Sequence, residues 1–137
     1  MVSAVRQVLQ GEGVERAEIS IAVVDDPTIH RLNVQYLDHD YPTDVLSFAS
    51  PVQEGFVGGE LVVSVDRAAA EAGQYGWAAK DELLLYVIHG ALHLTGYQDE
   101  TDDQQAVMRR REDHYLAQHG LEPHHFPRDS QQSAEQI

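Results

Sequence analysis

The segment of residues 80–95 constrains the fold of this chain more than any other part of its sequence. Its apolar residues cover a wide face of a helix: Leu83, Leu84, Val87, Ile88, Ala91, Leu92 and Leu94. An apolar face of this width is typical of a helix that lies in the middle of a domain rather than on its surface. Gly96 follows it, as a glycine commonly does at a helix C-terminus. We therefore predict a buried central helix over residues 80–95, against which the other elements pack.

The rest of the chain is predicted to supply strands and shorter helices. We predict strands at residues 17–24, 44–48 and 61–65, and a glycine-containing loop at residues 51–59. We predict helices at residues 2–10, at 26–36 with Asp26 as N-cap before Pro27, at 67–75 capped by Asp66, and at 102–119 behind a capping box of Thr101 and Gln104. This order predicts an α+β fold, a single small domain with a sheet of three to four strands and helices packed on it. We assign residues 1–119 to the domain and residues 120–137, which lack periodicity, to a flexible tail.

Charge and cysteine content limit the partners and the chemistry. Nine Lys and Arg against 23 Asp and Glu give a formal net charge of −14. This balance argues against broad, sequence-independent binding to nucleic acid or to an anionic membrane, since both favour a basic surface. The chain contains no cysteine, so any metal has to be held by histidine and carboxylate side chains.

Hydrophobic patterning gives an expectation about location. The first residues lack a cationic start followed by an apolar run, so they do not resemble a signal peptide. The apolar stretch of residues 83–94 is too short to span a bilayer and contains two histidines. We expect a soluble cytoplasmic protein.

Two histidines inside the predicted central helix indicate a metal site. His89 and His93 are four residues apart, which places both imidazoles on one helix face. Gly96 then ends the helix, so that the following turn is able to bring Asp99 back to the pair. Three protein ligands with a fourth position left for water describe a catalytic zinc site. The alternative is that these are structural core histidines with hydrogen-bond partners, because a pair at this spacing also occurs by chance.

The ligand pattern is similar to those of two other classes of metalloenzyme. The spacing is similar to the H-E-x-x-H-x-x-G-x-x-H pattern of metzincin peptidases, but Gly90 stands where the catalytic glutamate would be. Peptide hydrolysis is therefore disfavoured. Two histidines and one carboxylate also match the ligand set of non-haem iron oxygenases, although nothing else in the sequence points to oxygen chemistry.

Several motifs together resemble one family. The run HGALHLTGY at residues 89–97 resembles the signature H-G-x-L-H-L-x-G-Y-D-H of the YbeY family of metal-dependent endoribonucleases. Upstream, the PTDVLSF run at residues 42–48 and the GELVVS run at 59–64 are similar to further family segments. With Leu32, Asn33 and Tyr36, they extend the resemblance over residues 17–115 in the family's order.

The resemblance implies a fold, an activity and partners. It implies a small α+β domain whose central helix carries the ligands of one zinc ion, here His89, His93 and Asp99 in both metal-binding and catalytic roles. The implied activity is zinc-dependent endoribonucleolytic hydrolysis in 16S rRNA 3′ end maturation and ribosome quality control. The implied partners are ribosomal RNA and ribosomal proteins, with neither a membrane nor DNA expected.

The chain departs from the family pattern at two positions. Asp99 replaces the third histidine, and its charge is expected to make a metal-bound water less acidic than three neutral ligands would. Leu37 stands where the family usually has an arginine that contacts RNA phosphate. Neighbouring carboxylates are alternative third ligands if the turn differs: Glu100, Asp102 and Asp103.

Other functions remain open at this point. One is a ribosome-assembly or binding module in which the metal is mainly structural, and another is a metallopeptidase-like hydrolase, disfavoured for want of the glutamate. His39 is a candidate helper in catalysis, and Thr43 and Ser47 are candidate phosphate contacts, although each also fits a structural role.

Overall fold

The computed structural model describes residues 1–51 and 53–122. Its elements, in chain order, are α1 (Val2–Gly11), β1 (Arg16–Val24), α2 (Asp26–Leu37), β2 (Val45–Ala49), β3 (Phe56–Ser64), α3 (Val65–Tyr75), α4 (Ala79–Leu94) and α5 (Asp102–Gln118). The α+β fold is confirmed, with three strands among the described residues. The division into a domain of residues 1–119 and a tail of residues 120–137 stays a prediction, because residues 123–137 lie outside the described part.

The sheet is mixed, and helices pack on both faces of its central strand β3. Its strand order is β1-β3-β2, with β1 parallel and β2 antiparallel to β3. Successive side chains of a strand point to opposite faces, so Leu61 and Val62 serve two different layers. Val62 packs with Leu46 and with Ile29 of α2 on one face. Leu61 and Val45 belong to the larger core on the other face, where α4 lies.

Helix α4 is the predicted central helix, and it contacts α1, α3, α5, β2 and β3. Every residue from Leu85 to Leu92 is buried. Gly90 permits the close approach to the sheet, because a Cβ atom there would lie 2.7 Å from Leu61 Cδ2 and 3.3 Å from Val45 Cγ2. Position 90 therefore faces the sheet, and a glycine there allows α4 to pack closely against it.

Two helix starts differ from the sequence prediction. Asp25, not Asp26, caps α2, and its Oδ1 accepts a hydrogen bond from the backbone N–H of Thr28 at 2.9 Å. Ser64, not Asp66, caps α3. The two aspartates instead tie these helix starts together: Ser64 Oγ donates to Asp26 Oδ1 at 2.6 Å, and Asp26 N–H donates to Asp66 Oδ2 at 2.8 Å. Neighbouring Asp and Ser residues have the same capping chemistry, and tertiary contacts decide which one caps.

The predicted loop at residues 51–59 is wrong for its last four residues, because β3 begins at Phe56. Gly59 lies inside the strand, where a Cβ atom would be 2.5 Å from the carbonyl oxygen of Phe48 and 2.9 Å from Leu94 Cδ2. Glycine in a strand often marks such a close approach rather than a turn. This contact also joins the end of α4 to the sheet.

The sequence analysis found no apolar stretch long enough to span a bilayer, and the helices of the structure can be compared with that expectation. Among the described residues, no helix combines the length and the apolar character needed to cross a bilayer.

The packing at Gly90 gives a stability prediction. Gly90→Ala is expected to lower the free energy of unfolding by about 1 kcal/mol, because core overpacking costs roughly 1–3 kcal/mol and alanine's better helix propensity offsets only part of it. The matched control is Gly73→Ala in α3, where a Cβ atom meets nothing within 4 Å. The free energy of unfolding of that variant should rise by about 0.5–1 kcal/mol. Urea unfolding of both measures the difference, and a Gly90→Ala variant as stable as Gly73→Ala would contradict this packing.

Candidate metal centre

Three buried side chains converge beside the C-terminal half of α4. His89 Nε2 and His93 Nε2 are 2.9 Å apart, and Asp99 Oδ2 lies 3.5 Å from the first and 3.4 Å from the second. Among the described residues, these three form the group of histidine and carboxylate side chains close enough to hold one metal ion. The structure thus brings together the three residues that the sequence analysis singled out.

Local structure explains the convergence. The two imidazoles share one face of α4, and their ring centroids are 4.5 Å apart. After α4 the chain reverses at Gly96, whose φ of +114° is accessible mainly to glycine. The turn is fixed by a hydrogen bond from Tyr97 N–H to the carbonyl of Leu92 at 3.1 Å.

The start of α5 completes the turn around Asp99. Gln105 Nε2 donates to the backbone carbonyl of Asp99 at 3.0 Å. Thr101 and Gln104 form the capping box that the sequence predicted. Hydrogen bonds at both ends of this turn therefore hold the Asp99 side chain next to the two histidines.

The outer nitrogen of each imidazole has an acceptor of its own. His89 Nδ1 lies 2.5 Å from Glu112 Oε2 on α5, and His93 Nδ1 lies 3.0 Å from the carbonyl oxygen of Tyr97. A carboxylate or carbonyl oxygen only accepts, so each Nδ1 carries the proton and each Nε2 presents a lone pair. This arrangement is the usual one for metal-binding histidines, whose second nitrogen donates to a carboxylate or a carbonyl.

The inner atoms of the group, which face one another, are His89 Nε2, His93 Nε2 and Asp99 Oδ2. With both protons on Nδ1, neither Nε2 atom has a hydrogen to give to the other or to Asp99. Asp99 Oδ2 is buried and has no hydrogen-bond partner among the described residues. Two lone pairs and a carboxylate facing one another at this distance repel, unless a cation lies between them. The donor set therefore fits a divalent metal ion.

The distances support the same fit. Zinc bound by nitrogen and oxygen at about 2.0–2.2 Å in a tetrahedron separates its ligand atoms by roughly 3.4 Å. Both distances to Asp99 Oδ2 match this value, and the 2.9 Å between the imidazoles is somewhat shorter.

Burial and mutual contact shape the electrostatics. His89 is 2%, His93 4% and Asp99 4% exposed. Burial lowers the pKa of His93, and it outweighs the opposing contact with Asp99. This direction favours a neutral His93 imidazole, which is the form that binds metal.

The other candidates from the sequence are not part of this group. The three alternative carboxylates, Glu100, Asp102 and Asp103, are exposed. His39 stacks on Tyr41, with the ring centroids 5.7 Å apart. Thr43 is fully buried and Ser47 is 4% exposed.

Sequence reasoning missed Glu112 and the carbonyl of Tyr97. Glu112 follows three arginines on α5 and has the pattern of a charged surface helix, yet it is only 5% exposed. A backbone carbonyl carries no sequence signal at all. Only the packing of α5 against α4 brings Glu112 to His89.

Comparison with known proteins places the chain in a family. The model of the family described as endoribonuclease YbeY matches residues 1–120. The chain belongs to the endoribonuclease YbeY family. This confirms the resemblance carried by the motifs around His89 and Pro42, and with it the nuclease class that the resemblance implied.

Curated relatives and a solved structure agree with this assignment. An endoribonuclease YbeY of Rhodopirellula baltica is 43% identical over 103 residues, 74% of this chain and 53% of that protein. An endoribonuclease YbeY of Pelotomaculum thermopropionicum is 40% identical over 129 residues, 88% of this chain and 85% of that protein. A solution structure from Thermotoga maritima has a TM-score of 0.62 and 30% identity, and the match covers 84% of this chain and 75% of that one. The chain thus spans about half the length of the first relative and most of the second.

The buried contact between Glu112 and His89 gives a prediction about metal affinity. Glu112→Gln keeps the shape but removes the negative charge, so it should weaken binding of a divalent ion by roughly 10–100-fold, as the loss of such outer partners does. The measurement is a competitive titration of the metal-free protein with zinc and a chromophoric chelator. Asp103→Asn, an exposed carboxylate near the start of α5, is the control and should bind normally. Equal affinity in both variants would contradict the role of Glu112.

Proposed function

We propose that this chain is a metal-dependent endoribonuclease that uses one zinc ion held by His89, His93 and Asp99. The observation that carries the proposal is the convergence of two imidazole lone pairs and an unpartnered carboxylate oxygen at one buried point. Three protein ligands leave a further coordination position for water or a phosphate oxygen. Membership in a family named for endoribonuclease activity supports RNA as the substrate class.

The residues of the chain then have defined roles. When bound, the ion supplies a Lewis acid that polarises water or phosphate. Glu112 and the carbonyl of Tyr97 keep the two imidazoles oriented, with a proton on each Nδ1. Asp99 contributes a negative charge, which reduces the acidity of a bound water relative to three neutral ligands. No carboxylate can act from position 90, because that position faces Leu61 and Val45 of the sheet.

The finer role that we propose is 16S rRNA 3′ end maturation and ribosome quality control in the cytoplasm, on ribosomal RNA and in contact with ribosomal proteins. The net charge of −14 supports a partner-assisted encounter, since the protein as a whole repels a polyanion. A bound cation would provide the local positive charge that a phosphate needs. We propose neither DNA nor a membrane as a partner.

A second candidate function is a ribosome-assembly module whose metal is mainly structural. Two observations favour it: the ligand side chains are almost fully buried, and Leu37 replaces the family arginine. Leu37 packs against the apolar cluster of Ile29, Leu46 and Val62, so this position contributes to the core under α2. A peptidase-like activity finds no support, because the glutamate that it needs is absent at Gly90.

The ligand set is tested by isosteric substitution. Asp99→Asn should reduce bound zinc to background and abolish cleavage of ribosomal RNA fragments, because an amide is a much poorer zinc ligand than a carboxylate. Asp103→Asn, which alters an exposed alternative ligand, should keep both properties. Elemental analysis, RNA cleavage assays and circular dichroism together measure metal, activity and fold. Full zinc in a folded Asp99→Asn variant would refute the ligand assignment, while normal zinc without cleavage in the wild type would favour the assembly module.

The charge of the third ligand is tested by Asp99→His. A neutral ligand should lower the pKa of the metal-bound water, so the rise of the cleavage rate with pH should move to lower pH. The measurement is the pH profile of single-turnover RNA cleavage, at full zinc occupancy confirmed for each protein. An unchanged profile, or a shift to higher pH, would show that Asp99 does not set the acidity of the attacking water.

A further inference from the structure

A polar cluster lies next to the metal centre, on the side of α1, and the proposed mechanism uses none of its side chains. We call it the Glu12 cluster, and it consists of Glu12, Tyr97, Arg111 and Tyr115. Tyr97 Oη donates to Glu12 Oε1 at 2.6 Å, and Tyr115 Oη donates to Glu12 Oε2 at 2.5 Å. Arg111 donates to the same Oε2 from Nη2 at 2.6 Å and from Nε at 3.1 Å. One carboxylate therefore joins three segments that are far apart in the chain.

Charge and burial make this a strong junction. The Glu12 side chain is 11% exposed and the Arg111 side chain 31% exposed. Burial raises the pKa of Glu12, but its hydrogen bonds from Tyr115, Tyr97 and Arg111 outweigh that effect and lower it, so the group is ionised at neutral pH. Burial and the contact with Glu12 raise the pKa of Tyr115 to about 12, which keeps its hydroxyl a donor. Hydrogen bonds to a charged acceptor are stronger than those between neutral groups.

Both partners of the metal imidazoles are attached to this junction. Tyr97 is held to Glu12 by its hydroxyl, and its backbone carbonyl accepts the Nδ1 proton of His93. Arg111 is held to Glu12 by its guanidinium, and the next residue on α5 is Glu112, which accepts the Nδ1 proton of His89. The first acceptor thus belongs to a residue that Glu12 holds directly, and the second follows such a residue on α5.

We propose that Glu12 is a positioning residue for the metal centre and that α1 is energetically coupled to metal binding through it. Glu12 is not one of the three ligands and acts through Tyr97 and α5. Docking of α1 orients His93 and His89 for the ion, and by thermodynamic reciprocity the ion stabilises the docking of α1. This inference rests on the proposed metal site, and it adds the N-terminal helix to the machinery of that site.

The test compares two tyrosines of the same cluster. Tyr97→Phe releases the residue whose carbonyl orients His93. Tyr115→Phe removes its hydrogen bonds with Glu12 and Arg111, but leaves the direct bonds of Tyr97 and Arg111 to Glu12 in place. Cobalt(II) is titrated into the metal-free full chain, and both affinity and the visible absorption spectrum at saturation are recorded. Tyr97→Phe and Glu12→Gln should bind cobalt about tenfold more weakly and with an altered spectrum. A loss of this size is typical when a residue that helps to orient the metal ligands is removed. Tyr115→Phe should lose stability to urea but keep the wild-type affinity and spectrum.

Hydrogen exchange provides a second readout. In the wild type, bound cobalt should slow exchange of the α1 backbone amides, and in Glu12→Gln this effect should be lost. The spectrum at saturation separates positioning from stability, because every protein molecule that contributes to it is folded and loaded.

The outcomes separate this inference from the proposed function. A wild-type chain that binds cobalt, together with Tyr97→Phe and Glu12→Gln variants of unchanged affinity and spectrum, overturns the positioning role alone. Equal losses in Tyr97→Phe and Tyr115→Phe also overturn it, since the effect would then be general destabilisation. A wild-type chain with no more cobalt than Asp99→Asn overturns the metal site and this inference with it.

Discussion

The structure depends on the burial of two imidazoles and one carboxylate at a single point beside α4. Buried polar groups are costly unless each is paired, and here the outer nitrogens are paired while the inner atoms face one another. A cation at the inner point would satisfy all three at once. The turn at Gly96, the capping box at Thr101 and the packing of α5 all hold this set together.

Helix α4 serves two purposes on two faces. Toward the sheet, Gly90 removes a side chain so that the helix lies close to Leu61 and Val45. On another face it presents His89 and His93 to Asp99. The helix that forms the core of the domain therefore also carries two of the three proposed metal ligands, so these two are held as rigidly as the core itself.

The sequence predicted what depends on local pattern. The apolar face at residues 80–95 located α4 to within one residue at each end, and helical spacing with a following glycine identified His89, His93 and Asp99. Features that depend on tertiary contact were not predictable. The strand containing Gly59 resembled a loop because the reason for its glycine is the carbonyl of Phe48 on another strand. Glu112 resembled a surface charge, because its partner His89 lies 23 residues away on a different helix.

The proposed metal site is tested most directly by X-ray diffraction from zinc-loaded crystals, with anomalous data collected on both sides of the zinc absorption edge. It predicts one strong peak within about 2.0–2.2 Å of the Nε2 atoms of His89 and His93 and of Asp99 Oδ2. A peak that is coordinated instead by Glu100 or Asp103, or the absence of any peak between the two imidazoles, would contradict it.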